Sequence, residues 1–345
     1  MSDPRPGPGE DLPVPIDLPA DAVPDDGASD GTSVPPSSVR PSPFTLDGRA
    51  APGLYLVGWL GTLIGLGASF VGISGGAGPL FLIGLVILTL GLLAGAGAQA
   101  LERSRWTDQA YRGPSPWLVF AATIALSLAV QVLVVIVARA LGISTTLPLL
   151  TTILLAATAL VYVAVVRLLI VGTGALTWAD MGLRIPAARV LTDVAFGAVF
   201  ALPVLVFTGA IAVALSQVFQ PPPNPLPEAL SPFDLVANLL SAAVIAPIGE
   251  ELFFRGYATT AWERSAGARS AILRGALLFA FAHVLTLGDV QQAVFAFIVR
   301  LPVALMLGWV FLQRRSLPAS IGLHGAFNGI QVLLLAAATQ AGPPG

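Results

Sequence analysis

The sequence predicts an all-α fold, a polytopic bundle of eight to nine transmembrane helices behind a disordered N-terminal tail. Three observations predict it. Of 345 residues, 55% are hydrophobic and only 10% charged, whereas a soluble domain carries about 25% charged residues. Apolar runs long enough to cross a hydrocarbon core of ~30 Å at 1.5 Å per residue recur from Leu54 onward. The first 50 residues are instead rich in Pro, Asp, Ser and Gly, a composition that buries too little apolar surface to offset its ordering entropy.

That tail lacks the basic start and apolar stretch of a secretory signal peptide. Nine apolar runs follow, over residues 54–73, 79–99, 116–138, 147–172, 191–218, 233–261, 270–287, 291–312 and 317–339. Gly, Pro and charge interrupt the last four more than the first five, as expected of helices that line a site. In the sixth run, Ser231, Pro232 and Asp234 form an N-cap signature with Pro at the first helical position.

All 17 basic residues are Arg, and their placement orients the bundle. The loops after runs two, four, six and eight hold Arg103, Arg105 and Arg112; Arg184 and Arg189; Arg264, Arg269 and Arg274; and Arg314 and Arg315. The alternate loops hold only Arg139. This asymmetry predicts an integral membrane protein, in an inner or plasma membrane, with a cytoplasmic N-terminus. A net charge of −2 gives no reason to expect nucleic acid as a partner. The absence of Cys excludes disulfides, thiolate metal sites and cysteine nucleophiles.

Ionisable side chains at mid-membrane cost about 2.5–3.5 kcal/mol each on the insertion scale and are functional candidates for that reason. Run six carries Glu250, Glu251 and Arg255. The adjacent carboxylates point about 100° apart on a helix, so one role cannot serve both. Glu251 and Arg255, at i and i+4 with the acid first, suit an ion pair, which leaves Glu250 facing elsewhere. A structural salt bridge beside a protonated acid is the plainer reading. Run seven carries Phe279 and His283 at the same spacing, and run nine carries His324 and Asn328. A membrane His is more often a satisfied packing residue than a catalyst, but this chain has only two, both in late runs.

Counted from the ends nearest the arginine-rich loops, Glu250, His283, His324 and Asn328 all fall about 10–20 Å deep at 1.5 Å per residue. They can therefore converge. A buried carboxylate or imidazole can take a proton from water, and an imidazole and carboxamide can donate to an oxyanion. Glu250, His283 and His324 also make an acceptable zinc set with one position left for water. Spacing alone does not choose between these chemistries.

Glu250 to Arg255, Phe279 to His283 and His324 to Asn328 resemble, in order, the EExxxR, FxxxH and HxxxN/B motifs of the CPBP family, the type II CAAX prenyl endopeptidases and bacteriocin-processing (Abi) proteins. The segment Trp178 to Arg184 is similar to one found ahead of the core in prokaryotic members. The resemblance covers about residues 178–338. It divides the chain into a tail (1–50), N-terminal transmembrane helices (51–175) and a catalytic membrane core (176–340).

The resemblance implies an intramembrane endopeptidase acting on a lipidated or membrane-associated protein or peptide. In that scheme Glu250 activates water with help from His283, Glu251 and Arg255 form the supporting pair with Phe279 beside them, and His324 and Asn328 bind the oxyanion. No cofactor is required in the glutamate-dependent form, with zinc the alternative. Two other classes use similar residues: a proton-coupled transporter, and a non-catalytic immunity or scaffold protein. A transporter usually shows two related halves, and no repeat is visible here.

Overall fold

The computed structural model describes residues 45–46, 49–50, 52–144 and 147–341. The expected tail lies outside them, save for an antiparallel pairing of Thr45–Leu46 with Arg49–Ala50. Among the described residues all the rest of the regular structure is helical. We number the helices α1 (Pro52–Ser74), α2 (Gly78–Arg103), α3 (Pro116–Ala140), α4 (Pro148–Val171), α5 (Ala187–Leu215), α6 (Pro232–Ala266), α7 (Ala268–Ala282), α8 (Val290–Arg314) and α9 (Leu317–Ala341).

Eight of these nine are long and apolar enough to cross a membrane. The exception is α7, expected as a full span over 270–287 but only 15 residues long. At 1.5 Å per residue it rises about 22 Å, short of a ~30 Å core. Val284 and Leu287 made the run look longer, but they lie in the turn that follows. The outer helices present large apolar side chains to their surroundings, such as Phe70, Leu191, Val199 and Val213, each more than 60% exposed. On a soluble protein such a surface would be an aggregation liability; on a membrane protein it faces lipid tails.

The sixth helix shows how the sequence shapes the site. Ser231 caps it, its hydroxyl accepting from the Asp234 N–H at 3.2 Å, as the N-cap signature predicts. The 35-residue helix then widens into two π-helical stretches, Leu240–Ile245 and Leu252–Thr259, on either side of the α-helical turns Ala246–Glu251. Thr259 and Thr260 donate their hydroxyls to the carbonyls five residues back, Phe254 and Arg255, rather than four. Such bulges re-aim side chains and recur at functional sites.

The arginine-rich connections meet at one end of the bundle. Arg103 donates to the Gly113 carbonyl, and Tyr257 of α6 reaches the Pro114 carbonyl at 3.1 Å. Arg264 pairs with Asp180 at 2.5 Å, and Arg315 pairs with Glu263. Arg314 holds the fully buried Asp193 at 2.5 Å. The backbone N–H of Leu317, at the start of α9, donates to the Gly182 carbonyl at 3.0 Å. Gly182 has φ +73°, and a Cβ there would lie 2.9 Å from the Leu317 nitrogen, so its left-handed turn lets Trp178 to Arg184 dock against α9. Close α5–α9 contact likewise needs Gly197, where a Cβ would fall 1.8 Å from the Ala319 carbonyl oxygen.

Candidate active site

The site is assembled where α6, α7 and α9 meet. Glu251 lies at its dry centre, with no exposure. Its Oε1 accepts from Arg255 Nη1 at 2.8 Å and from His324 Nδ1 at 2.8 Å. Arg255, 1% exposed, also donates to the Ala304 carbonyl of α8 at 3.2 Å and lies over the Phe279 ring at 4.3 Å. The expected i,i+4 pair therefore forms, and it also orients His324. The bonds made through Glu251 Oε1 and the guanidinium offset the cost of burying these charges, while Glu251 Oε2 has no hydrogen-bond partner.

Glu250 points elsewhere, as two adjacent carboxylates must. Its side chain is 18% exposed, and its Oε2 has no hydrogen-bond partner in the protein. His283 Nε2 lies 3.7 Å from that oxygen and His324 Nε2 lies 3.9 Å from it. Both imidazoles are fixed through their other nitrogen. His283 Nδ1 donates to the Phe279 carbonyl at 2.8 Å, one turn back in the chain, while His324 Nδ1 is held by Glu251. In those tautomers His283 Nε2 carries a lone pair when neutral, and His324 Nε2 carries a proton only as imidazolium.

Phe279 supports all of them. Its ring lies 4.4 Å from the His283 ring, 5.6 Å from the His324 ring and 5.1 Å from Phe254, besides stacking on Arg255. On the opposite side Gly249 admits α4, since a Cβ there would fall 2.7 Å from the Ala159 Cα. Asn328 stands further along α9. Its Nδ2 donates to the Ala242 carbonyl of α6 at 2.9 Å, which ties the two helices and leaves the second amide N–H uncommitted.

One residue that motif spacing did not single out also belongs here. Arg300 of α8 is partly buried and interacts electrostatically with Glu250 and His283. Its signal was present in the sequence, as an arginine in the middle of an apolar run.

The alternative zinc set can be tested on geometry. Ligands about 2.0–2.1 Å from a tetrahedral ion lie roughly 3.3 Å apart, and both imidazoles stand wider than that from Glu250 Oε2. Among the described residues no group of three or more His, Asp, Glu or Cys is placed to hold a metal ion. The arrangement leaves a buried carboxylate oxygen facing two ring nitrogens across a gap too long for direct hydrogen bonds.

No curated protein and no solved structure matches the chain. Residues 232–330, which contain all three motifs and the whole Glu250, His283 and His324 constellation, match the family model of the Rce1-like type II CAAX prenyl endopeptidases.

Proposed function

We propose that this chain is an intramembrane endopeptidase that hydrolyses a peptide bond of a lipidated or membrane-associated protein, using water activated by Glu250. The observation that carries this reading is the unpartnered Glu250 Oε2 facing His283 Nε2 at 3.7 Å and His324 Nε2 at 3.9 Å. An orphaned buried acceptor costs about 1–3 kcal/mol, a cost that makes sense where a reactant fills the place.

A water about 2.8 Å from both Glu250 Oε2 and His283 Nε2 donates one O–H to each. As its oxygen attacks the peptide carbonyl carbon, its proton passes to Glu250 Oε2. The carbonyl oxygen becomes an oxyanion, for which His324 Nε2–H, in the imidazolium form, and the second Asn328 N–H are the donors. Such donors are typically worth about 3–4 kcal/mol each in the transition state. Collapse of the tetrahedral intermediate breaks the C–N bond, and the proton held by Glu250 passes to the leaving amine. Glu251 and Arg255 take no part in proton transfer; they hold His324. Every step uses protein side chains and water, and we assign no metal to the reaction.

The arginine asymmetry supports a cytoplasmic position for the N-terminus and for the shared end where the arginine-rich connections meet. A cytoplasmic lipidated protein would reach the site from that membrane face.

The test is cleavage by the purified chain in lipid vesicles of a lipid-anchored peptide, read by mass spectrometry. The parent is expected to cut it, and Glu250→Ala and His283→Ala to leave it intact while folding normally. Both variants cutting at the parent rate would refute the assignment.

A further inference from the structure

We infer that a second cavity, lined by Glu228, Asn238 and Thr339, binds a primary ammonium group, as carried by an ethanolamine phospholipid headgroup or by a small free amine. It is separate from the Glu250 site and does not rest on the peptidase reading.

The cavity measures about 410 Å³ and lies between the segment leading into α6, the first turns of α6 and the last turns of α9. The arginine-rich connections join the other ends of these two helices, so the cavity is at the opposite end of the bundle. Asn238 precedes Glu250 by 12 residues in α6, about 18 Å at 1.5 Å per residue. Leu226, Pro227, Val332 and Leu335 supply apolar wall.

The polar groups point to the ligand because their donors are spent and their acceptors are not. Asn238 is 2% exposed. Its Nδ2 donates to the Pro227 carbonyl at 2.9 Å, which fixes the orientation of the amide, since a carbonyl only accepts. Oδ1 is therefore the other end, and it has no hydrogen-bond partner in the protein. Thr339 gives its hydroxyl hydrogen to the Leu335 carbonyl at 3.1 Å and keeps its oxygen free to accept. Glu228, exposed at the rim, makes no hydrogen bond and no ion pair among the described residues. Asn224, also at the rim, accepts from the Leu226 N–H at 3.2 Å and is the one lining side chain that retains donors. No Arg lines the cavity.

A carboxylate, a buried amide oxygen and a hydroxyl oxygen in one cavity select a cation that carries several donors. A primary ammonium offers three N–H donors on a compact centre. A quaternary ammonium has the same charge but no donor, and would leave Asn238 Oδ1 unpaired. A guanidinium presents a planar fork that suits two oxygens of one carboxylate better than three separate acceptors. Depth favours a lipid as the source. Thr339 stands 22 residues beyond Leu317, the first residue of α9, a rise of about 33 Å against a hydrocarbon core of ~30 Å. The cavity therefore opens at headgroup level, and the exposed Leu333 and Leu334 beside it face acyl tails.

The experiment follows thermal unfolding of the full-length chain in detergent as two matched pairs of ligands are titrated, because a ligand that binds only the folded protein raises its unfolding temperature. One pair is an ethanolamine and a choline phospholipid with identical acyl chains; the other is ethylammonium and tetramethylammonium. The ethanolamine lipid is expected to reach half-effect at a concentration about 10–100 times lower than the choline lipid, the range for charge-assisted hydrogen bonds. Glu228→Gln, at an exposed position, is expected to cut that preference about tenfold, and Ala336→Phe, which fills the cavity, to abolish it. A preference confined to the lipid pair identifies the headgroup as the source, and one confined to the soluble pair identifies a free amine. No preference in either pair would overturn the inference, and needs no variant to fold. A preference that survives unchanged in both variants would place the ammonium elsewhere and overturn it as well.

Discussion

Glu250 Oε2 and His283 Nε2 face each other at 3.7 Å, and that carboxylate oxygen has no hydrogen-bond partner in the protein. One residue further on, Glu251 accepts hydrogen bonds from Arg255 and His324 at 2.8 Å each. Glu251 Oε2 also lacks a hydrogen-bond partner, but the Glu251 side chain is fully buried whereas that of Glu250 is 18% exposed, so Glu250 is the one open to a reactant and Glu251 is tied into the structure through its other oxygen. The predictions below follow from that division.

Glu251→Gln is expected to lower stability as well as activity. It leaves the buried Arg255 guanidinium without its countercharge, and breaking a buried pair typically costs about 3–5 kcal/mol. Thermal unfolding in detergent checks this. An unfolding temperature equal to the parent's would show that Arg255 does not depend on Glu251.

Gly249→Val is expected to destabilise the chain by about 1–3 kcal/mol, the usual range for overpacking, because a Cβ already falls 2.7 Å from the Ala159 Cα. Movement of α4 away from α6 would also displace Glu250, the next residue. Denaturation and peptide cleavage measured side by side test both effects. An unchanged midpoint would mean that the two helices are not in close contact there.

The three motifs were legible in the sequence because each is an i,i+4 pair, and helical geometry alone brings such residues to one face. The Glu251 and Arg255 pair, the Ser231 cap and the shared end of the arginine-rich loops follow from that kind of local rule. The two π-helical stretches of α6 were not legible, since apolar residues such as Leu240 to Ile245 suit an α-helix equally well. The length of α7 was misread because hydropathy does not distinguish Val284 and Leu287 in a turn from the same residues in a helix. The link from Asn328 to the Ala242 carbonyl had no signal at all, because a backbone acceptor leaves no mark on residue identity. Arg300 did have one, but it fell outside the motif spacing.

Acid should weaken the Asp180–Arg264 contact. Burial works against ionisation of Asp180, but the Thr177 N–H and hydroxyl and the Arg264 guanidinium outweigh it and hold the carboxyl below its ordinary value. A carboxyl whose pKa is lowered by folding contributes stability above its unfolded value, about 3.9, and loses it as pH falls through the folded value. The parent should therefore lose more stability below about pH 4 than Asp180→Asn does. Parallel pH–stability curves for the two proteins would contradict this.

Chelation is expected to leave cleavage unchanged, since the proposed steps use Glu250, the two imidazoles and water. Rates before and after exhaustive dialysis against a chelator, with metal content determined on the same samples, make the comparison. Loss of activity restored by added zinc would move Glu250, His283 and His324 from acid–base roles to metal ligation.

The most direct measurement is single-turnover cleavage of a lipid-anchored peptide by Glu250→Gln, a substitution that keeps the side chain's shape but removes its capacity to take a proton from water. The account predicts a fall of about 10²- to 10⁴-fold with the parent's unfolding temperature retained. Cleavage at the parent rate would contradict it.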